Sequence, residues 1–228
     1  MRWFDRLVVV APHPDDDVLG CGGAIAAAAA TGMDLRVIYV TDGSASHVGS
    51  RAYPSERLRD LREGEAREAL GILGVHSEPR FLRVPDGTVA ALAADAAGAV
   101  VAALADAIGD AADPLVIGPW VRDHHTDHVA VAALVRAACA RRPGATLLEY
   151  AVWLHELGTE HDRPGTAEGT PVALGVARFV AAKSAALAAH RSQLGSLITD
   201  APVSFALPRG LMVATAQPSE HFLLVRQR

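Results

Sequence analysis

Val8-Val9-Val10-Ala11-Pro12-His13-Pro14-Asp15-Asp16-Asp17-Val18-Leu19-Gly20-Cys21-Gly22-Gly23 reads as a strand, a sharp turn and the start of a helix. Leu7 to Ala11 is a short apolar run rich in β-branched residues, the pattern of a buried strand. Pro12 and Pro14 bracket His13 and lack the amide hydrogens that pairing needs, so the strand stops there. The Gly-rich segment and the Ala-rich run from Ala24 to Ala30 then read as a helix packed closely on a sheet. Between strand and helix stand one imidazole and three consecutive carboxylates. They lie at the carboxyl end of a buried strand, where open α/β sheets bind ligands.

Three adjacent carboxylates repel one another. Two roles fit such a turn: a solvated acidic cap on the next helix, or a cation site that recruits His13 as co-ligand. The choice depends on whether the rest of the chain supplies more ligands.

The 228 residues suffice for one large α/β domain with a full core, and we expect a single domain over 1–228. Half the residues are hydrophobic and 21% are charged, an ordinary balance for a globular protein. The net charge of -5 argues against non-specific nucleic-acid binding. Two cysteines, Cys21 and Cys139, are too few for a disulfide framework, and a reducing compartment is the default. Met1 to Asp5 carries no leader pattern and no segment has membrane-spanning length, so a cytoplasmic location is expected.

Further strands are expected at Leu35–Val40, Phe81–Val84, Pro114–Gly118, Thr146–Ala151 and Glu220–Arg226. Helices are expected at Val18–Thr31, at Glu56–Leu73 capped by Ser55 and closed by Gly74, and at Val89–Ile108, Val129–Ala140 and Arg178–Leu194. Trp153 to Gly175 reads as irregular and as the most variable or lid-like segment. Alternation of strands and helices predicts an α/β fold: a Rossmann-like three-layer sandwich, mostly parallel, with helices on both faces. The first turn is neither G-x-G-x-x-G nor a P-loop, so nucleotide binding has no support.

Asp123-His124-His125-Thr126-Asp127-His128 follows a second buried strand and belongs at the same sheet edge as the first turn. Three histidines and two carboxylates in six residues favour the metal-site reading. Together, Pro12-His13-Pro14-Asp15-Asp16-Asp17 and His125-Thr126-Asp127-His128 resemble the motifs of the PIG-L (LmbE-like) zinc-dependent N-deacetylases. Thr41-Asp42-Gly43, Arg62 with Glu65-Ala66 before Leu73-Gly74-Val75, and Lys183 through His190-Arg191-Ser192-Gln193 extend the resemblance over most of the chain. Two positions depart from the family pattern: Asp17 stands where Glu is usual, and Asp123 where some members have Tyr.

The resemblance implies the following roles. His13, Asp16 and His128 match the zinc ligands and Asp15 the general base. His125 matches the histidine that stabilises the oxyanion or protonates the leaving amine, and Asp127 the carboxylate that orients it and keeps it cationic. The implied substrate is a small N-acetylglucosamine conjugate. Two histidines, a carboxylate and an open position are what a catalytic zinc requires, and zinc lowers the pKa of a bound water towards 7. Fe2+ or Co2+ suits the same donors.

On the Glu56–Leu73 helix, Leu58, Leu61, Ala66, Ala69, Ile72 and Leu73 share a face, with Arg62 and Glu65 in its middle. Charges there must pair with each other or face a cavity. Arg62 is therefore a candidate for binding sugar hydroxyls or phosphate, the alternative being a structural Arg62–Glu65 pair. Arg59, Asp60, Glu63 and Arg67 fall on the exposed side. Asp123 and His190 are further candidate substrate contacts. His47, His76, His155, His161 and His221 read as loop or solvent residues, with His155 and His161 candidates for a substrate entrance.

A second reading keeps the site but changes the substrate to a natural-product or thiol-conjugate amide. A third is a metal-binding protein without catalysis, against which the surplus of Asp15 and His125 argues. A homo-oligomer is compatible with such a fold, though no interface is legible.

Overall fold

The computed structural model describes residues 4–165 and 167–225, apart from the side chain of His155. In chain order the elements are β1 (Arg6–Ala11), α1 (Asp16–Ala30), β2 (Asp34–Thr41), α2 (Ser55–Ile72), β3 (Arg80–Val84), α3 (Ala94–Ile108), β4 (Pro114–Pro119), α4 (Thr126–Ala140), β5 (Thr146–Tyr150), α5 (Leu154–Leu157), β6 (Thr170–Gly175), α6 (Val180–Ala189), α7 (Arg209–Thr215) and β7 (Ser219–Leu224). The sheet order is β3-β2-β1-β4-β5-β7-β6. Its first five strands are parallel, and β7 and β6 join antiparallel.

β1 shows why the opening run is apolar throughout. Leu7, Val9 and Ala11 enter one core, with Ile25 of α1, Leu70 of α2 and Leu187 of α6. Val8 and Val10 enter the other, with Leu104 of α3 and Val131 and Val135 of α4. Alternating side chains with helices on both faces leave no solvent-facing position on a central strand. The three-layer α/β sandwich expected from the sequence is the observed fold. Strand order reverses between β1 and β4, so the crevice at their carboxyl ends is the topological switch point.

Tertiary hydrogen bonds move several boundaries. The expected Val89–Ile108 helix is interrupted, with a 3-10 turn over Val89–Ala91 preceding α3. The amides of Gly87 and Val89 donate to the Asp127 carboxylate, which bends the chain away from a helix. The expected Arg178–Leu194 helix stops at Ala189, because the backbone amide and hydroxyl of Ser192 both bond Glu65. Ser55 does not cap α2. It is the first helical residue, behind Pro54. Thr170–Gly175, read as irregular, is an edge strand on β7, where Pro171 is tolerated. The final strand ends at Leu224, and Arg226 lies outside the described residues.

Helix α1 is kinked at Cys21 (φ -151°, ψ 25°). The amides of Gly23 and Ala24, freed by the kink, donate to Glu220 of β7 at 2.7 and 2.9 Å. Lys183 of α6 closes on the same carboxylate at 2.6 Å. Gly20, just before the kink, lies against the Tyr150 ring, where a Cβ would collide. Both cysteines are free and buried. No helix among the described residues is long and apolar enough to cross a membrane.

Candidate active site

The turn after β1 and the N-terminus of α4 after β4 meet at the switch point. Asp16 Oδ2 lies 3.1 Å from His13 Nδ1 and 3.1 Å from His128 Nε2. The far nitrogen of each ring is anchored by carboxylates. His13 Nε2 is 3.1 Å from Asp86 Oδ1 and 3.3 Å from Asp127 Oδ2. His128 Nδ1 is 2.8 Å from Asp123 Oδ2. The anchors need a hydrogen on those far nitrogens, so the neutral tautomers aim two lone pairs at one carboxylate oxygen. His128 Nε2 is buried in a geometry that makes no hydrogen bond. Only positive charge between the three groups resolves this, as protons on the rings or as a cation.

The electrostatics agree. Burial opposes charge on His13, but Asp127, Asp16 and Asp86 outweigh it and hold the ring well above the usual histidine range. Burial is likewise overcome at His128, which Asp16 and Asp123 raise to about 9. Burial would raise Asp16, yet His128 and His13 hold it well below the usual carboxylate range. His13, His125 and His128 each bring a ring nitrogen within 4.8 Å of the others, and His13, Asp86 and Asp127 form a second such group. These donors, with carboxylates anchoring both imidazoles from behind, fit a divalent cation.

Asp15 sits beside this centre with φ 151°, ψ -23°, a conformation L-residues rarely adopt and that costs about 1–3 kcal/mol. Arg62 lies 3.2 Å from its carboxylate. Burial pushes Asp15 up to about 7, against the pull of Arg62. His125 caps α4: its Nδ1 accepts the Asp127 amide at 3.2 Å. That bond leaves the hydrogen of the neutral ring on Nε2. Burial and the neighbouring His13 and His128 lower its pKa.

Several expected roles are changed. The Asp127 carboxylate does not orient His125. It binds His13 and the amides of Gly87 and Val89, and only the Asp127 backbone reaches His125. Burial and the neighbouring His13 and His128 disfavour charge on His125. Asp123 does not face substrate, because it accepts from His128 and from the amides of His124, Val152 and Leu154. Arg62 pairs with Asp15 rather than Glu65 and donates to the carbonyls of Gly43 and Pro14, both at 2.9 Å. At 3% exposure it reaches the cavity as the partner of Asp15.

His190 is fully buried with neither nitrogen bonded, held neutral with a pKa of about 3 by burial and by Arg62. Glu63, placed outside by helical periodicity, is buried and accepts from Arg83, while Ile72 is exposed. His47 is buried, His76, His161 and His221 are exposed, and the His155 side chain lies outside the described residues. Asp17 is buried behind the turn, where it accepts from the Tyr39 hydroxyl at 2.9 Å.

Asp86 is the residue that sequence reading missed. It follows β3 as the other acidic residues follow their strands, and that position was its available signal. Burial would raise its pKa, but His13 holds it at about 2.

Residues 8–139 match PIG-L, described as GlcNAc-PI de-N-acetylase. The chain belongs to the PIG-L family. A Rhodococcus opacus (strain B4) relative, a 1D-myo-inositol 2-acetamido-2-deoxy-α-D-glucopyranoside deacetylase, is 32% identical, over 97% of this chain and 91% of its own. A conserved protein from Thermus thermophilus superposes with TM-score 0.68 at 27% identity, covering 97% and 94% of the two chains. At 19% identity, a 4-carboxy-2-hydroxymuconate hydratase from Pseudomonas putida also shares the PIG-L fold, with TM-score 0.67 over 98% and 97%. The PIG-L fold therefore does not choose the chemistry, and the residues at the switch point must.

Proposed function

We propose that this protein is a zinc-dependent N-deacetylase acting on a small N-acetylglucosamine-type conjugate. The observation that carries the reading is that Asp16 Oδ2 stands 3.1 Å from a ring nitrogen of both His13 and His128, with Asp15 and His125 beside them. The three converging residues would hold the ion. When bound, zinc supplies Lewis-acid polarisation of the acetyl carbonyl and acidifies a water.

This chain's own groups do the rest. Asp15, with a pKa of about 7, would take a proton from the attacking water, and Arg62 would keep its carboxylate aimed. The Nε2–H of neutral His125 would donate to the oxygen that gains charge, worth about 3–4 kcal/mol. As the C–N bond breaks, protonated Asp15 would return its proton to the leaving amine, giving acetate and a free amino sugar. One residue then serves as base and acid, which a pKa close to the working pH favours.

The test is acetate release from the inositol conjugate that the Rhodococcus relative's name describes, with zinc-loaded protein. Asp15→Asn should lose about 10²–10⁴-fold in kcat while binding zinc in full. Activity surviving in that variant would overturn the assignment of Asp15. Metal binding without release of acetate from any N-acetyl conjugate would overturn the deacetylase reading.

A further inference from the structure

The cavity above the centre, about 370 Å³, has two unlike walls. One is polar: Asp15, Asp86, Ser46 and Gln193 stand around the metal ligands. The other is apolar: Leu19, Trp153, Val203, Phe205 and Leu207. The Trp153 ring lies against His125, centroids 6.2 Å apart at 26°, and Phe205 meets Trp153 edge-on at 6.1 Å. Val203 remains 63% exposed at the rim.

The apolar wall is held in place. Asp200 accepts from the Ser50 hydroxyl at 2.6 Å and from the amides of Arg51 and Ala52, both at 2.9 Å. The Leu207 amide donates to the Gln193 carbonyl at 2.8 Å. These bonds bracket Val203 and Phe205 on both sides, so the aromatic face belongs to the cavity.

Charge completes the argument. Among the described residues lining the cavity Arg62 is the sole lysine or arginine; Asp15 and two carbonyls take its terminal nitrogens, and its buried Nε has no acceptor. On the side of Arg62 a phosphate or carboxylate on the aglycone would meet a guanidinium already neutralised by Asp15, and it would meet Asp86.

We infer that the group attached to the amino sugar is uncharged and apolar, an aryl or alkyl aglycone that packs on Trp153, Phe205 and Val203. The inference rests on the amino-sugar deacetylase reading and names its substrate class. The sugar would lie with its hydroxyls toward Asp86, Ser46 and Gln193. Anionic conjugates would bring a further negative charge beside Asp15 and Asp86.

The experiment separates binding from turnover. Zinc-loaded wild-type protein, which keeps the Asp15–Arg62 pair, is titrated calorimetrically with the benzyl, inositol and malate glycosides of glucosamine, products that cannot turn over, and their N-acetyl forms make up the panel for turnover. The benzyl glycoside should bind about two- to tenfold tighter than the malate glycoside, with inositol between, as one aromatic pair is worth roughly that factor. Adding Phe205→Ala or Val203→Ser should shrink the benzyl-to-malate ratio several-fold. A merely structural role would weaken all three glycosides alike and leave the ratio unchanged, which would overturn the inference. Equal or tighter binding of the malate glycoside would also overturn it. Acetate release by wild type from the N-acetyl panel reports separately on the deacetylase reading. Aglycone discrimination without turnover would sink that reading and keep the wall, while turnover without discrimination would do the reverse.

Discussion

His13 and His128 show how a single hydrogen bond sets a residue's chemistry. Each has its far nitrogen on a carboxylate, so its near nitrogen is available to a cation. Asp123→Asn would leave His128 free to rotate, and we expect zinc affinity to fall about 10–100-fold. At saturating zinc KM should stay near the wild-type value, since Asp123 faces away from the cavity. A raised KM under those conditions would return Asp123 to the substrate. Proton release is the second test at this scale. Without a cation the surrounding carboxylates favour protonation of both rings. Zinc uptake should therefore release about two protons, and zinc affinity should weaken as pH falls. Calorimetry of the chelator-stripped protein in two buffers of different ionisation enthalpy counts them.

Helix α1 carries the ligand turn at one end, and its kink is the weak point. Glu220 caps the second half of the helix from a strand nearly two hundred residues away in sequence and pairs with buried Lys183. Glu220→Ala would strand that ammonium and two amides in the interior. We expect about 3–5 kcal/mol of destabilisation, read as a lower urea midpoint with an unchanged slope. Glu220→Gln keeps an acceptor for the two amides and should recover part of the loss. Helix α2 makes a related point. Its buried Arg62 and Glu65 do not pair with each other, because each ties α2 to another element: Arg62 to the ligand turn, Glu65 to Ser192 beyond α6. Periodicity located both charges on the inner face and left their partners undetermined.

For the whole molecule, the 3-2-1-4-5 strand order makes the site possible. It sets the carboxyl ends of β1 and β4 side by side, and β3 delivers Asp86 from the flank. Behind the site, neutral His190 couples global stability to pH. Its folded pKa of about 3 lies below the ordinary histidine value near 6.5. The unfolded chain thus binds a proton that the folded chain refuses. The stability His190 contributes is complete above pH 6.5 and is lost as pH falls towards 3. The slope approaches about 1.4 kcal/mol per pH unit in that window. Denaturant unfolding of wild type and His190→Leu across pH 4 to 7 should show the variant with the shallower dependence, and parallel curves would refute the assignment.

The sequence by itself determined the fold class, the central strand and the two polar clusters at one sheet edge. These follow from local facts: a two-faced strand must be apolar, prolines end pairing, and an imidazole beside three carboxylates at a strand end has few other uses. Only the tertiary structure decided what each polar group touches. Asp127 anchors His13 rather than His125, Asp123 anchors His128, His190 lies behind the cavity, and the aromatic wall at 203–207 faces a metal turn far away in sequence. A carboxylate bonds whichever donor the fold brings within 3 Å, and that donor is set by strand order and helix packing, which no local pattern encodes.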